Sequence, residues 1–188
     1  MNKAVFLDRD GTIIKEKHFL KSPELVELEK NALAALKILQ ENGFLLIIIT
    51  NQSGIARGII KPEEFYAVQH HLLDLLSEKG IAIKGYYFCP HHPEAEKEEY
   101  KKDCTCRKPE PGMLLLAAKE HNISLTDSFM IGDKAADVEA GKKVNMKSIL
   151  VKTGYGQKSL GDLKKVQPDY IADDLLDAVK NFILTANS

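Results

Sequence analysis

The 188-residue sequence has no tryptophan, only three cysteines and almost equal numbers of acidic and basic residues. Its formal net charge of −1 gives no overall basic field that would attract nucleic acid or an anionic membrane surface. No apolar run approaches the roughly 18 residues that span a bilayer, and the run from Ala4 to Leu7 is too short for a signal peptide. We therefore expect a cytoplasmic protein that binds neither nucleic acid nor membranes.

Several common sequence signals are also missing. There is no G-x-x-x-x-G-K-[ST] segment, which excludes a P-loop nucleotide site. The odd number of cysteines argues against a closed disulfide framework, and thiols in the cytoplasm more often serve metal binding or catalysis. No internal repeat or linker-like stretch divides the chain, so residues 1–188 are predicted to form one domain that acts as a monomer.

What the chain does contain is an alternation of short apolar segments with longer amphipathic ones. The apolar segments predict strands at residues 4–8, 44–50, 85–90, 128–133, 147–152 and 169–172. The amphipathic segments predict helices at residues 27–43, 62–80, 111–122, 134–143 and 173–184. This order favours an α/β protein with three layers, a Rossmann-like parallel sheet between helices on both faces.

Polar side chains follow three of the predicted strands. Asp8 and Asp10 come after the first strand, Thr50 ends the second, and Asp133 follows the fourth, with Asp137 one helical turn further on. Each has an ordinary explanation as a turn residue, a strand end or a helix cap. Because the carboxyl ends of parallel strands meet at one edge of a sheet, we expect all of them to converge on one site.

Four stretches resemble the ordered motifs of the haloacid dehalogenase superfamily of aspartate-nucleophile phosphatases. They are FLDRDGT, TNQSG, the lysine in CRKP, and IGDKAAD. The resemblance covers about residues 4–154 and implies that Asp8 attacks phosphorus and that Asp10 is the general acid and base. It also implies that Mg²⁺ is held by Asp8, the backbone carbonyl of Asp10 and Asp133.

The same resemblance assigns the residues that hold the phosphoryl oxygens. Thr50 would contribute its hydroxyl group and Lys108 its positive charge. The role of Asp137 stays open, because it would either orient the water shell of the metal or face solvent at the start of its helix.

All three cysteines lie in the segment from Cys89 to Pro111, which is too long for an ordinary structureless loop. Cys89, Cys104, Cys106 and one histidine supply thiolate and imidazole ligands that suit a closed, structural Zn²⁺ site. His91 and His92 are both candidates by spacing, and the family resemblance selects His91. Buried structural thiols and a redox pair at Cys104 and Cys106 are the alternatives.

A zinc-clamped loop with a minimal cap resembles one branch of the superfamily, the phosphatases of sugar bisphosphates and of histidinol phosphate. The stretches TNQSGIARG, CPHHP and CRKPEPGM carry this resemblance. Zinc would order the highly charged loop and thereby fix Arg107 and Lys108, which follow the last cysteine. Arg107 suits the second phosphate of a sugar bisphosphate, which favours that substrate over histidinol phosphate.

Other residues are predicted to contact the sugar. Asn51, Gln52 and Ser53 offer neutral hydrogen bonds to its hydroxyl groups. The segment Glu16, Lys17, His18 and Phe19 lines the substrate site in this branch of the family, although these residues also fit a solvated loop. A zinc-bearing nucleic-acid module is the alternative from a different class, but the chain lacks the basic face that such a module requires.

Overall fold

The computed structural model describes residues 1–95, 97–163 and 166–187 and contains a six-stranded, wholly parallel sheet in the order β3-β2-β1-β4-β5-β6. The strands are β1 (Ala4–Leu7), β2 (Leu45–Asn51), β3 (Ile83–Cys89), β4 (Phe129–Gly132), β5 (Lys147–Val151) and β6 (Tyr170–Ala172). Each predicted strand is present, with bounds that differ by one or two residues. The predicted α/β class is confirmed.

Helices cover both faces of this sheet. They are α1 (Ala32–Glu41), α2 (Ser53–Ala56), α3 (Pro62–Glu78), α4 (Gly112–His121), α5 (Ala135–Lys142), α6 (Gly156–Ser159) and α7 (Leu175–Ala178), with short 3₁₀ segments at Pro23–Leu25, Glu98–Tyr100, Leu160–Asp162 and Thr185–Asn187. Val5 and Leu7 point into a core shared with α1, α3 and α7, whereas Ala4 and Phe6 point into a second core against α4 and α5. Because side chains alternate along a strand, the buried strands supply both cores.

Two helix predictions differ from the structure. The first helix begins at Ala32 rather than near residue 27, because the preceding segment pairs with the loop after β1, through a bridge between Leu28 and Ile14. The last helix is α-helical only to Ala178 and continues as a π-helical segment, Val179–Ile183. Both Val179 and Ile183 remain buried in the core. Among the described residues, no helix is long and apolar enough to cross a membrane.

Candidate active site

The central position of β1 brings three strand ends together. β1 lies between β2 and β4, so the residues that follow it face the ends of both neighbours. A cavity of about 230 Å³ opens at this carboxyl edge. It is lined by Asp8, Arg9, Asp10, Glu16, His18, Phe19, Thr50, Asn51, Gln52, Ser53, Lys108, Lys134, Asp137 and Tyr155, among others. Of the residues predicted to act in catalysis, magnesium binding or substrate binding, Lys17, Arg107 and Asp133 do not line it.

Asp8 and Lys108 form a buried ion pair at the base of the cavity. Lys108 Nζ lies 2.9 Å from Asp8 Oδ1, which also accepts a hydrogen bond from the backbone N–H of Arg9. Burial alone would raise the pKa of Asp8, but the ammonium groups of Lys108 and Lys134 outweigh it and hold the pKa below its usual value. The lowered pKa means that the carboxylate is ionised. No hydrogen bond within the described residues engages Asp8 Oδ2, so this oxygen is free to react.

Asp137 is wholly buried and has two structural partners. Its Oδ1 lies 2.6 Å from Lys108 Nζ, and its Oδ2 accepts a hydrogen bond from the backbone N–H of Lys134, which caps α5. Lys108 also donates to the carbonyl of Ile49. Together with Asp8, these contacts give the ammonium group three oxygen partners. Asp137 therefore fixes the position of Lys108, a role that its sequence position did not reveal.

Asp133 carries the clearest sign of a missing cation. Its Oδ2 accepts from the backbone N–H of Tyr155, but its buried Oδ1 has no hydrogen-bond partner among the described residues, and the ammonium group of Lys134 lies 3.6 Å away from it. Burial and the charge of Asp8 raise the pKa of Asp133 to about 8. Oxygens of Asp8, Asp133 and Asp137 lie within 4.8 Å of one another. This donor set fits a hard divalent cation such as Mg²⁺, which would neutralise the repulsion between the carboxylates.

A glycine makes room for that carboxylate. Gly11 has φ +82°, in the left-handed region, and a Cβ atom there would overlap the Asp133 carboxylate. Only glycine accepts both conditions without strain. The DRDG turn therefore serves to bring β1 and β4 residues into contact.

The carboxylate of Asp10 is held by two neighbouring side chains. Arg9 pairs with it at 2.9 Å, and Gln52 Nε2 donates to its Oδ2 at 2.8 Å. Gln52 Nε2 also donates to Thr50 Oγ1 at 2.9 Å. Because Thr50 accepts this bond, its own hydroxyl hydrogen is left to donate into the cavity.

The side chain of Asn51 lines the cavity and also binds the backbone of Lys108. Its Oδ1 accepts from the backbone N–H of Lys108 at 3.0 Å, and its Nδ2 donates to the carbonyl of the same residue at 2.9 Å. The side chain therefore joins the end of β2 to the loop that carries the buried lysine. This two-point contact competes with the hydrogen bonds to sugar hydroxyls predicted for Asn51.

The rim of the cavity is formed by two loops that touch each other. His18 Nδ1 lies 2.6 Å from Tyr155 Oη, and Lys134 Nζ lies 3.6 Å from Glu16 and 5.0 Å from the centre of the Tyr155 ring. His18 and Phe19 both have positive φ, which turns this segment back over the cavity. Lys17 points away instead, and its ammonium pairs with Glu27.

The four predicted zinc ligands are clustered. Separations among the Sγ atoms of Cys89, Cys104 and Cys106 and Nδ1 of His91 lie between 3.1 and 3.7 Å for the contacting pairs. Bonds of 2.0–2.3 Å to a tetrahedral zinc would place such atoms about 3.3–3.8 Å apart. The cluster can therefore hold a metal of this size. Glu96, within the charged loop, lies outside the described residues.

His92, the rival nitrogen donor, has other partners. Its Nδ1 accepts from the backbone N–H of Glu94, and its Nε2 lies 3.2 Å from the guanidinium of Arg57. Burial, then the charges of Arg107 and Arg57, lower the pKa of His92. Arg107 donates to the carbonyl of His91. Both guanidinium groups therefore act on the ring of His92.

Three residues at the site were not singled out from the sequence. They are Arg9, Lys134 and Tyr155. Burial would lower the pKa of Lys134, but the carboxylates of Asp8, Asp133 and Asp137 outweigh it and raise the value. Arg9 and Lys134 could have been identified from the sequence, because each stands next to a predicted catalytic or metal-binding aspartate. No sequence pattern indicated Tyr155, because its position at the cavity depends on how the loop after β5 returns to β1.

Comparisons with known proteins agree with one another. A family model described as HAD-hydrolase-like matches residues 105–178. A D-glycero-beta-D-manno-heptose-1,7-bisphosphate 7-phosphatase from Pasteurella multocida is 42% identical and covers 96% of both chains. A D-glycero-alpha-D-manno-heptose-1,7-bisphosphate 7-phosphatase from Photorhabdus laumondii is 40% identical over 81% of this chain and 84% of its own. The crystal structure of a D,D-heptose 1,7-bisphosphate phosphatase from B. bronchiseptica, complexed with magnesium and phosphate, matches with a TM-score of 0.86, 28% identity and 99% coverage of each chain.

Proposed function

Because the chain belongs to the haloacid dehalogenase-like hydrolases, within the group of the heptose 1,7-bisphosphate 7-phosphatases, we propose that it is a magnesium-dependent phosphatase that removes the 7-phosphate of D-glycero-D-manno-heptose 1,7-bisphosphate. The observation that carries this proposal is the buried ion pair of Asp8 and Lys108 beside a buried oxygen of Asp133 that has no hydrogen-bond partner among the described residues. A single-domain, monomeric enzyme of the cytoplasm, serving nucleotide-activated heptose biosynthesis for the bacterial cell envelope, would account for the sequence.

In the first chemical step, Asp8 acts as the nucleophile. Its free oxygen attacks phosphorus, the bond from phosphorus to the sugar oxygen breaks, and Asp10 gives its proton to that leaving oxygen. Thr50 would donate its hydroxyl hydrogen to a phosphoryl oxygen, and Lys108 would balance the charge beside Asp8. The ionised state of Asp8 supports this assignment.

In the second step, water hydrolyses the aspartyl-phosphate. Asp10 takes a proton from the water, whose oxygen bonds to phosphorus while the bond to Asp8 breaks, so that phosphate leaves and both carboxyl groups return to their starting states. Asp8, the backbone carbonyl of Asp10 and Asp133 would hold Mg²⁺. When bound, this ion neutralises negative charge on the nucleophile and the phosphoryl group.

The second phosphate of the substrate would be bound beyond the cavity, by Arg107. The proximity of Arg57 to His92, and of Arg107 to the same ring, supports a positive region there. Glu16, His18, Phe19, Gln52 and Ser53 line the cavity and would contact the sugar. Lys17, which pairs with Glu27, is the least supported of the predicted contacts.

A phosphate-release screen tests the substrate. We expect turnover of heptose 1,7-bisphosphate in one or both anomeric forms, with loss of a single phosphate, at a kcat/KM at least about 10²-fold above that for histidinol phosphate, because a site built to pair with a second phosphate rejects a substrate without one. Faster release from histidinol phosphate would contradict the heptose assignment but leave the phosphatase assignment in place. No release from any phosphate monoester would contradict both.

Zinc binding is tested by elemental analysis. We expect about one zinc per chain, retained through dialysis against EDTA that removes magnesium, because the closed Cys₃His set holds its metal more tightly than two carboxylates and a backbone carbonyl hold Mg²⁺. Cys104→Ser should raise KM several-fold while the melting temperature falls little, because the loop loses order and the sheet does not. Thr105→Ser, in the same loop, is the matched control. Purified protein without zinc would remove the clamp from the proposal.

A further inference from the structure

Arg9 is a charged side chain with almost no access to solvent. It is 1% exposed, and its guanidinium contacts Asp10, the side chain of Gln69 and the ring of Phe65. An arginine is effectively always ionised, so its burial is costly unless each contact is well placed. Asp10 is its only carboxylate partner among the described residues. The burial of this ion pair therefore needs an explanation in function.

Gln69 gives the second part of that explanation. It lies on the buried face of α3, together with Phe65, Val68 and Leu72, and is itself 0% exposed. Its Oε1 accepts from Arg9 Nη1 at 3.4 Å, while its Nε2 has no hydrogen-bond partner among the described residues. A buried, half-satisfied amide costs stability that a leucine of similar size would not. Packing does not account for this glutamine, whereas support for Arg9 does.

The contacts make the two oxygens of Asp10 unequal. Oδ2 accepts from Arg9 Nε at 3.1 Å and from Gln52 Nε2 at 2.8 Å, and Arg9 Nη2 lies 2.9 Å from it. Within the part of the chain that the structure describes, Oδ1 accepts only from Arg9 Nη2, at 3.2 Å. A carboxylate oxygen has about two lone-pair sites, so Oδ2 is filled and Oδ1 retains capacity for a proton.

We propose that Arg9, anchored by Gln69, is a positioning residue that fixes the Asp10 carboxylate so that Oδ1 delivers the proton to the leaving oxygen of the substrate. The inference rests on the proposed phosphatase function and adds to it a pair of residues, one of them 60 positions away on α3. In the step concerned, the bond from phosphorus to the sugar oxygen breaks. The proton moves from Asp10 Oδ1 to that oxygen, and its electron pair stays on the carboxylate.

The dependence on the leaving group separates positioning from stability. A sugar alkoxide needs a proton as it leaves, whereas p-nitrophenolate leaves readily without one. The value of kcat/KM reports the steps up to departure of the leaving group. A misplaced Asp10 should therefore lower kcat/KM for heptose 1,7-bisphosphate much more than for p-nitrophenyl phosphate, while a general loss of structure should lower both alike.

Gln69→Leu is the decisive variant because it leaves Asp10, Arg9 and their charges in place. We expect kcat/KM for heptose 1,7-bisphosphate to fall about 10- to 100-fold, part of the 10²–10⁴ that a positioned acid contributes. The value for p-nitrophenyl phosphate should change less than about 3-fold, and the melting temperature should stay near that of the wild type, because one unpaired buried group replaces another. Arg9→Lys, which keeps the charge but loses the planar fork, should show the same selectivity.

Val68→Ala is the matched control. It removes apolar volume from the same face of α3 without touching Arg9, so it should lower the melting temperature and leave the ratio of the two kcat/KM values unchanged. Equal losses on both substrates in Gln69→Leu, or no loss on either, would overturn the positioning role. A wild-type protein that hydrolyses neither ester would instead contradict the proposed function.

Discussion

Asp8→Asn is expected to reduce kcat by about 10⁴–10⁶-fold while the protein stays folded. An amide nitrogen or oxygen is a far weaker nucleophile than the ionised carboxylate that Lys108 and Lys134 maintain. The amide oxygen can still accept from Lys108 and from the backbone of Arg9, as Oδ1 does now. Removing one negative charge also relieves the repulsion that raises the pKa of Asp133. The melting temperature should therefore fall only moderately, because Lys108 loses one of its two carboxylate partners and keeps the other, Asp137.

The measurement is phosphate release together with thermal unfolding. Asp127→Asn makes the same chemical change at an exposed position just before β4, at the opposite edge of the sheet, and should alter neither quantity. Mass spectrometry of acid-quenched protein should find one added phosphoryl group on the wild type and none on Asp8→Asn. Turnover above a tenth of the wild-type rate in Asp8→Asn would refute Asp8 as the nucleophile.

Lys108→Met is expected to impair both activity and stability. The ammonium contacts Asp8, Asp137 and the carbonyl of Ile49, and its removal leaves two buried carboxylates without the cation that contacts them directly, with Lys134 as the remaining nearby positive charge. Breaking a buried ion pair by removing one partner costs about 3–5 kcal/mol. The loss of a charge beside the transferring group should lower kcat about 10²–10³-fold.

Lys143→Met is the matched control for this change. Lys143 also pairs with two carboxylates, Glu110 and Glu139, but on the surface. Exposed ion pairs contribute about 1 kcal/mol or less, so the variant should unfold and turn over substrate almost as the wild type does. Urea denaturation and phosphate-release rates of the two variants provide the comparison. A Lys108→Met protein as stable and active as Lys143→Met would show that the buried lysine has no role.

The strands were predictable because their signal is local. Runs such as FLLIIIT are apolar on both faces, which is typical of strands buried between two layers of helices. Helix ends were harder to predict. α1 starts late because Leu28 pairs with Ile14, and this pairing depends on a loop that the helix sequence does not contain.

The predicted site residues were identifiable because each follows a strand or lies in a spaced motif. Asp8, Thr50 and Asp133 end neighbouring parallel strands, and this topology alone brings them to one edge. The partners of these residues were not identifiable. No sequence pattern indicated that the amide of Asn51, which lines the cavity, also joins β2 to the backbone of Lys108.

The amino-acid sequence by itself determined the α/β class, the alternation of strands and helices along the chain and the chemical types that follow the strands, because periodicity and motif spacing are properties of neighbouring residues. Only the tertiary structure decided how those groups hold one another. It buried Arg9 between Asp10 and Gln69, paired Asp137 with Lys108, and left one buried oxygen of Asp133 without a hydrogen bond from any described residue. Such contacts join residues up to about 60 positions apart, so they depend on how helices pack on the sheet and leave no trace in local pattern.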